Sequence, residues 1–107
     1  MKVIIQLLLV FATVCTLFQT QNAETDCDAE KSLVMKDCEA SIRKVGDYET
    51  PSHSCCLHVK RSDMTCVCRT LTIFDEKIVC PKKLVRVARE CGNPVRVGER
   101  CGSKYLL

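Results

Sequence analysis

The stretch Cys55-Cys56-Leu57-His58-Val59-Lys60-Arg61-Ser62-Asp63-Met64-Thr65-Cys66-Val67-Cys68 decides how this chain folds. It carries four cysteines, an adjacent pair followed by an alternate pair. A disulfide between adjacent cysteines strains both the peptide and the disulfide torsion. Each of the four therefore reaches for a different, distant partner. On a helix, side chains one position apart diverge by about 100°, and two positions apart by about 200°. One short segment can then be bolted to several neighbours in different directions, and the remaining chain is what those bolts hold.

Upstream, Met1-Lys2 precedes an apolar run, Val3 to Phe18, and then the polar stretch Gln19-Thr20-Gln21-Asn22-Ala23. This order reads as a secretory signal peptide, residues 1–23, cut after Ala23. Gln21 is a poor residue three before that cut. A membrane anchor fits less well, because the run is short for a span, contains Gln6 and lacks a basic flank after it. The mature domain, 24–107, keeps nine of the ten cysteines, since Cys15 leaves with the leader. So small a domain has room for only a thin core. Its cysteine density marks a disulfide scaffold, and secretion sends it to a compartment where bridges persist. Without Lys2 the chain has 15 Lys and Arg against 13 Asp and Glu, a net charge of +2 that argues for no nucleic acid partner. The charge is uneven. Glu24–Glu39 carries six acids and two bases, and Lys77–Lys104 carries eight bases and two acids. These are either two solvated faces or a basic patch suited to anionic membranes or cell-wall polyanions.

Periodicity gives four short helices. Leu33, Val34, Cys38, Ile42 and Val45 recur at spacings of three to five, which predicts a helix over Ala29–Val45 with Asp26 or Asp28 as its cap and Gly46 as its end. Ser52 or Ser54 can cap a second helix through Cys55, Cys56 and Val59. Asp63 can cap a third, Met64–Leu71. Thr72–Val79 reads as a strand, or as a loop burying Ile73, Phe74, Ile78 and Val79. Pro81 suits the first turn of a fourth helix, in which Leu84, Val87, Ala88 and Cys91 share a face and Gly92 is the stop. Val95–Leu107 is expected as an irregular tail fixed at Cys101. Helices this short do not persist alone in water. A bridge closing a loop such as Cys38–Cys55 contributes on the order of 3 kcal/mol in the chain-entropy model. Cysteine count alone leaves the pairing open.

The full spacing, Cys27-x10-Cys38-x16-Cys55-Cys56-x9-Cys66-x-Cys68-x22-Cys91-x9-Cys101, resembles the eight-cysteine motif of the plant non-specific lipid-transfer proteins. The wider group includes 2S albumins and cereal amylase/trypsin inhibitors. Lys82 to Gly92 also looks like that family's last helix. The resemblance implies an all-α fold: a disulfide-stapled, right-handed four-helix bundle with an irregular C-terminal segment around an apolar cavity. It implies the pairs Cys38–Cys55 and Cys56–Cys91. Val67, apolar between Cys66 and Cys68, resembles type 2-like members, which implies Cys27–Cys66 and Cys68–Cys101. The alternative, Cys27–Cys68 with Cys66–Cys101, stays open. Three features depart from the family pattern. Cys80 is a ninth cysteine, expected as a partly buried free thiol. Leu57 to Ser62 is more polar than a cavity lining, which suggests a narrow or shallow cavity. Lys104-Tyr105-Leu106-Leu107 extends past Cys101 and either covers a tunnel mouth or frays.

Catalysis finds little support. A Cys–His nucleophile needs a free, activated thiol, and nothing in the sequence brings His53 or His58 to Cys80. Both histidines are expected on a solvated helix face. The cysteine spacing does not match paired C-x2-C zinc ligands, and neither a metal nor a cofactor is expected. An apolar ligand has more support. Val34, Ile42, Val45, Val59, Val67, Leu71, Phe74, Ile78, Leu84, Val87, Ala88 and Val95 are the candidate lining, although in so small a chain such residues normally fill a core. Arg43, Lys44, Arg86 or Arg96 can meet an anionic headgroup at a mouth. The resemblance therefore implies a monomeric, non-enzymatic, extracellular (apoplastic) protein that sequesters a fatty acid, lysolipid or other apolar small molecule. The rival is a defence protein, hydrolase inhibitor or signalling protein on the same scaffold, without lipid carriage.

Overall fold

The structure, a computed structural model, describes residues 3–6 and 27–107. The expected signal peptide lies outside the described residues except for 3–6, a helical turn with Val3, Ile4 and Ile5 exposed. Asp26 also lies outside them. The domain is mostly helical. Helix α1 runs over 27–37 and a turn at Cys38 leads into α2, Glu39–Ile42. Helices α3, His53–Arg61, and α4, Met64–Thr70, follow. A 3₁₀ turn, Asp75–Lys77, precedes α5, Pro81–Glu90. Strands β1, Arg100–Cys101, and β2, Tyr105–Leu106, close the chain as an antiparallel pair, with Arg100 opposite Leu106 and Cys101 opposite Tyr105. Helix α5 is the central element and packs on α2, α3 and α4, while β1 packs on α4 and α5.

Local chemistry sets the helix ends. The Cys55 amide donates to Ser52 Oγ at 3.1 Å and the Cys66 amide to Asp63 Oδ1 at 3.2 Å, so each cap satisfies an amide that its helix leaves unpaired. Pro81 opens α5, where a missing amide costs nothing. Gly92, at φ +83°, ends it in a Schellman turn in which the Asn93 amide bonds the Ala88 carbonyl at 2.9 Å. Asn93 also donates its side-chain amide to the Val59 and Ser62 carbonyls, at 2.8 and 2.7 Å. It thereby ties the end of α3 to the end of α5.

Three expectations are corrected. The first helix does not run unbroken from Ala29 to Val45. It turns at Cys38 and stops at Ile42, because Arg43 adopts extended backbone and bridges to Val79. The Cys80 amide donates to the Ile42 carbonyl at 2.8 Å, and the Lys44 amide to the Ile78 carbonyl at 2.9 Å. Val45, beyond the helix, faces solvent, and so does Leu33 within α1. Asp28, expected as a cap, lies inside α1. Thr72–Val79 is neither a strand nor a loop burying four side chains. Asp75 Oδ2 accepts the Thr72 amide and Thr72 Oγ1 accepts the Asp75 amide, which coils the segment into its 3₁₀ turn. Val79 is buried, while Ile73, Phe74 and Ile78 are exposed, with Lys77 over the Phe74 ring. As expected, the tail is irregular apart from its two-residue strand pair, and reciprocal bonds between residues 98–99 and Leu107 hold it in place.

The disulfides are Cys27–Cys66, Cys38–Cys55, Cys56–Cys91 and Cys68–Cys101, the first of the two arrangements above. They join α1 to α4, the Cys38 turn to α3, α3 to the end of α5, and α4 to β1. Around them the side chains of Val34, Ile42, Val59, Met64, Val67, Leu84 and Val87 are fully buried. Lys31 adds a partly buried strut, reaching Asp75 at 3.0 Å and the Thr70 carbonyl at 3.1 Å. Burial pushes the Asp75 carboxyl up, but the Thr72 amide and Lys31 outweigh it and hold that group below its ordinary value.

Gly102 occupies φ +73°, its amide bonds the Cys68 carbonyl at 3.0 Å, and an added Cβ would meet Glu76 Oε1 at 2.5 Å and Pro81 Cγ at 3.0 Å. Glu76 at that spot holds the Ser103 amide and hydroxyl. Gly102→Ala is therefore expected to lower stability by about 1–2 kcal/mol from the left-handed backbone alone, read as a lower midpoint in urea unfolding. An unchanged midpoint would show that this turn carries no such constraint.

Candidate ligand site

The break between α2 and the bridge at Val79 leaves a cleft of about 350 Å³. Its apolar wall is Met35, Ile42, Ile78 and Val79, and its rim is Lys36, Glu39 and Arg43. The wall is graded. Ile42 is 1% exposed and belongs to the core, Val79 is buried, and Ile78 stands 63% exposed at the entrance. An apolar tail entering past Ile78 would meet side chains that are already dry. Arg43 reaches Glu49 at 3.7 Å on the surface, so it can turn toward a headgroup without breaking a buried pair.

Of the twelve candidate lining residues, Val34, Ile42, Val59, Val67, Leu71, Leu84, Val87, Ala88 and Val95 are brought together in one buried cluster. Val45 and Phe74 stand apart from it on the surface. Ile42 and Ile78 are the two that line the cleft. Met35, Lys36 and Glu39 do not stand out in the sequence. They lie one helical turn or less from Cys38, and a search for polar residues flanking that cysteine on α1 and α2 would find the two charged ones.

A second cleft, also about 350 Å³, holds Cys80 with Lys44, Lys77 and Lys104 around it. Cys80 is unbridged and half-buried. Among the described residues no three His, Cys, Asp or Glu side chains gather as a metal site. His58 is not simply solvated, which corrects its expected position. It is half-buried, and its Nε2 lies 2.6 Å from Asp37 Oδ2, which links α3 to α1. Ser54 Oγ donates to the same Asp37 oxygen at 3.4 Å. The serine thus points at the carboxylate instead of the imidazole, and the three do not form a nucleophile–base relay. His53 is exposed at the start of α3.

The Asn93 cap, the Cys-held helices and the cleft beside Ile42 form one disulfide-stapled helical domain, and a family model described as probable lipid transfer matches residues 7–101. The chain belongs to this probable lipid transfer family. It fits the plant lipid-transfer superfamily that its cysteine order resembles, with eight cysteines in four bridges. No curated protein and no solved structure matches the chain. Among the described residues no helix is long and apolar enough to cross a membrane.

On α5, Glu90 accepts the Tyr48 hydroxyl, and the Arg86 guanidinium lies 3.8 Å from the centre of the Tyr48 ring. Burial, the bond to Glu90 and the Glu90 charge together push the Tyr48 phenol up to about 12 from an ordinary 10.0. The Tyr48 hydroxyl, followed by Arg86, holds the Glu90 carboxyl below its ordinary value. Because the raised phenol favours the protonated, folded form, its contribution is present in full below pH 10 and is lost as pH rises toward 12. Absorbance titration of phenolate is expected to show Tyr48 ionising at about 12, and Glu90→Gln is expected to bring it down. A Tyr48 titration near 10 in the parent protein would show that this cluster does not hold the phenol.

Proposed function

We propose that the protein is a secreted, non-enzymatic carrier that holds one apolar molecule, a fatty acid or lysolipid, in a disulfide-held site entered beside Ile78. In this reading residues 1–23 are a signal peptide, residues 24–107 act outside the cell, and the working form is a monomer. The observation that carries it is the graded wall of the cleft, from exposed Ile78 through buried Val79 to fully buried Ile42. Family membership supports the same reading.

The mechanism is transfer between environments, without bond chemistry. Each methylene taken from water is worth about 0.8 kcal/mol. Apolar contact discriminates poorly between chain lengths, so the site is broad in specificity. Lys36 and Arg43 stay at the rim, where they can meet a carboxylate or phosphate while the tail passes inward. The disulfides fix the helices around the site, so the protein does not lose its fold when the occupant leaves.

The oxidised protein is expected to take up a fluorescent fatty acid saturably and to release it to unlabelled fatty acid. Ile78→Glu puts a carboxylate at the entrance of the apolar wall without touching the core, and is expected to weaken uptake at least about tenfold. Circular dichroism checks that the variant keeps its helices. No uptake by the oxidised parent protein, or equal uptake by the folded variant, would reject this carrier and this entrance.

A further inference from the structure

We infer that a third cleft, built on the outer face of α5, is a phosphate-ester site that takes the headgroup of an anionic lipid independently of the apolar site. The cleft has a volume of about 280 Å³. Lys82, Lys83, Arg86 and Arg89 supply four cations, and Val85 with the rings of Tyr48 and Tyr105 supplies an apolar floor. The four cations fall at spacings that place them along one side of the helix.

The cations are not equivalent, and their differences define the site. Lys83 is fixed by backbone oxygens, donating to the Arg43 carbonyl at 2.9 Å and the Gly46 carbonyl at 2.7 Å. Its charge is therefore positioned without being neutralised. Arg86 is fixed by Glu90 at 3.3 Å and by stacking on Tyr48. Glu90 is the one carboxylate engaged with these groups among the described residues, and the Tyr48 hydroxyl occupies it as well. Lys82 and Arg89 flank the fixed pair, are exposed, and have no hydrogen-bond or ion-pair partner among the described residues. Four positive charges against one negative charge leave a strong surplus inside a concave surface, where the field is concentrated. Two preorganised donors between two adaptable ones suit a phosphate better than a single carboxylate, because phosphate offers three oxygens and up to two charges. The tyrosine and valine floor suits the apolar root of an esterified phosphate, which inorganic phosphate does not have.

The cleft at Ile78 is lined by α1, α2 and residues 78–79, and it shares no lining residue with this one. The two sites can thus be tested separately. Sedimentation with phosphatidylcholine vesicles, with and without phosphatidic acid, measures the membrane source, and a titration with glycerol 3-phosphate followed by the Tyr48 and Tyr105 ring resonances measures the soluble one. Binding is expected only when phosphatidic acid is present. The Lys82→Gln/Arg89→Gln variant is expected to bind those vesicles roughly ten- to thirtyfold more weakly. The control variant Lys60→Gln/Arg61→Gln loses the same charge from α3 and is expected to bind like the parent. Saturable binding of glycerol 3-phosphate that depends on Lys82 and Arg89, with no preference for the vesicles, would keep the phosphate site and assign it a soluble ester. Binding of neither probe, or equal losses in the two double variants, would overturn the proposal. Fatty-acid uptake is expected to stay unchanged in both variants, so failure here is distinguishable from failure of the carrier.

Discussion

Every disulfide among the described residues has one end in the fourteen-residue stretch from Cys55 to Cys68. That covalent constraint is what the other elements depend on. Helices of four to eleven residues have too few internal bonds to offset the cost of nucleation. Closing loops of 17 to 39 residues removes much of the freedom of the unfolded chain, on the order of 3–4 kcal/mol each in the entropy model. The bonds also fix direction. Cys55 and Cys56 leave α3 toward the Cys38 turn and the end of α5, and Cys66 and Cys68 leave α4 toward α1 and β1. Val67 lies between the last two and is fully buried, so its apolar side chain sets which way α4 faces.

The same constraint explains where the molecule is closed and where it opens. Its centre is filled by valine, isoleucine, leucine and methionine side chains packed between the bridged helices. Its edge at α2 is held more lightly, by the Arg43–Val79 bridge and the two backbone bonds beside it. Among the described residues no disulfide crosses that seam. A ligand that enters past Ile78 therefore works against backbone bonds and surface ion pairs, while the covalent frame stays intact. Deeper entry would require Ile42 and its core neighbours to move, which costs packing. Leu57 to Ser62 lie on α3 and at its end and do not line this cleft, so their polarity does not set its depth.

The frame is legible in the cysteine spacing, and the helix ends are legible in Ser52, Asp63, Pro81 and Gly92, because each acts within its own turn. What stays hidden depends on partners distant in sequence. The stop at Ile42 comes from backbone pairing with residues 78–80, which outweighs a continuing apolar period through Val45. The Thr72–Asp75 reciprocity is a local signal, yet the apolar residues around it suggest burial that only Val79 achieves. His58 reads as solvated because Asp37 lies 21 residues away and meets it only once Cys38 and Cys55 are joined. The cleft shares this dependence. Ile42 and Ile78 are plainly apolar, but their meeting follows from the seam, and Lys36 and Glu39 carry no pattern that separates them from solvent-facing charges.

Entry of an apolar molecule beside Ile78, as far as the side chain of Ile42, is the step on which the carrier rests. Methyl-resolved NMR of the oxidised protein during titration with a fatty acid reads that step directly. Saturable shifts of the Ile78, Val79 and Ile42 methyl groups are expected, weakening toward Val59 and Val67. Shifts confined to exposed Ile73 and Val97, or none at all, would contradict it.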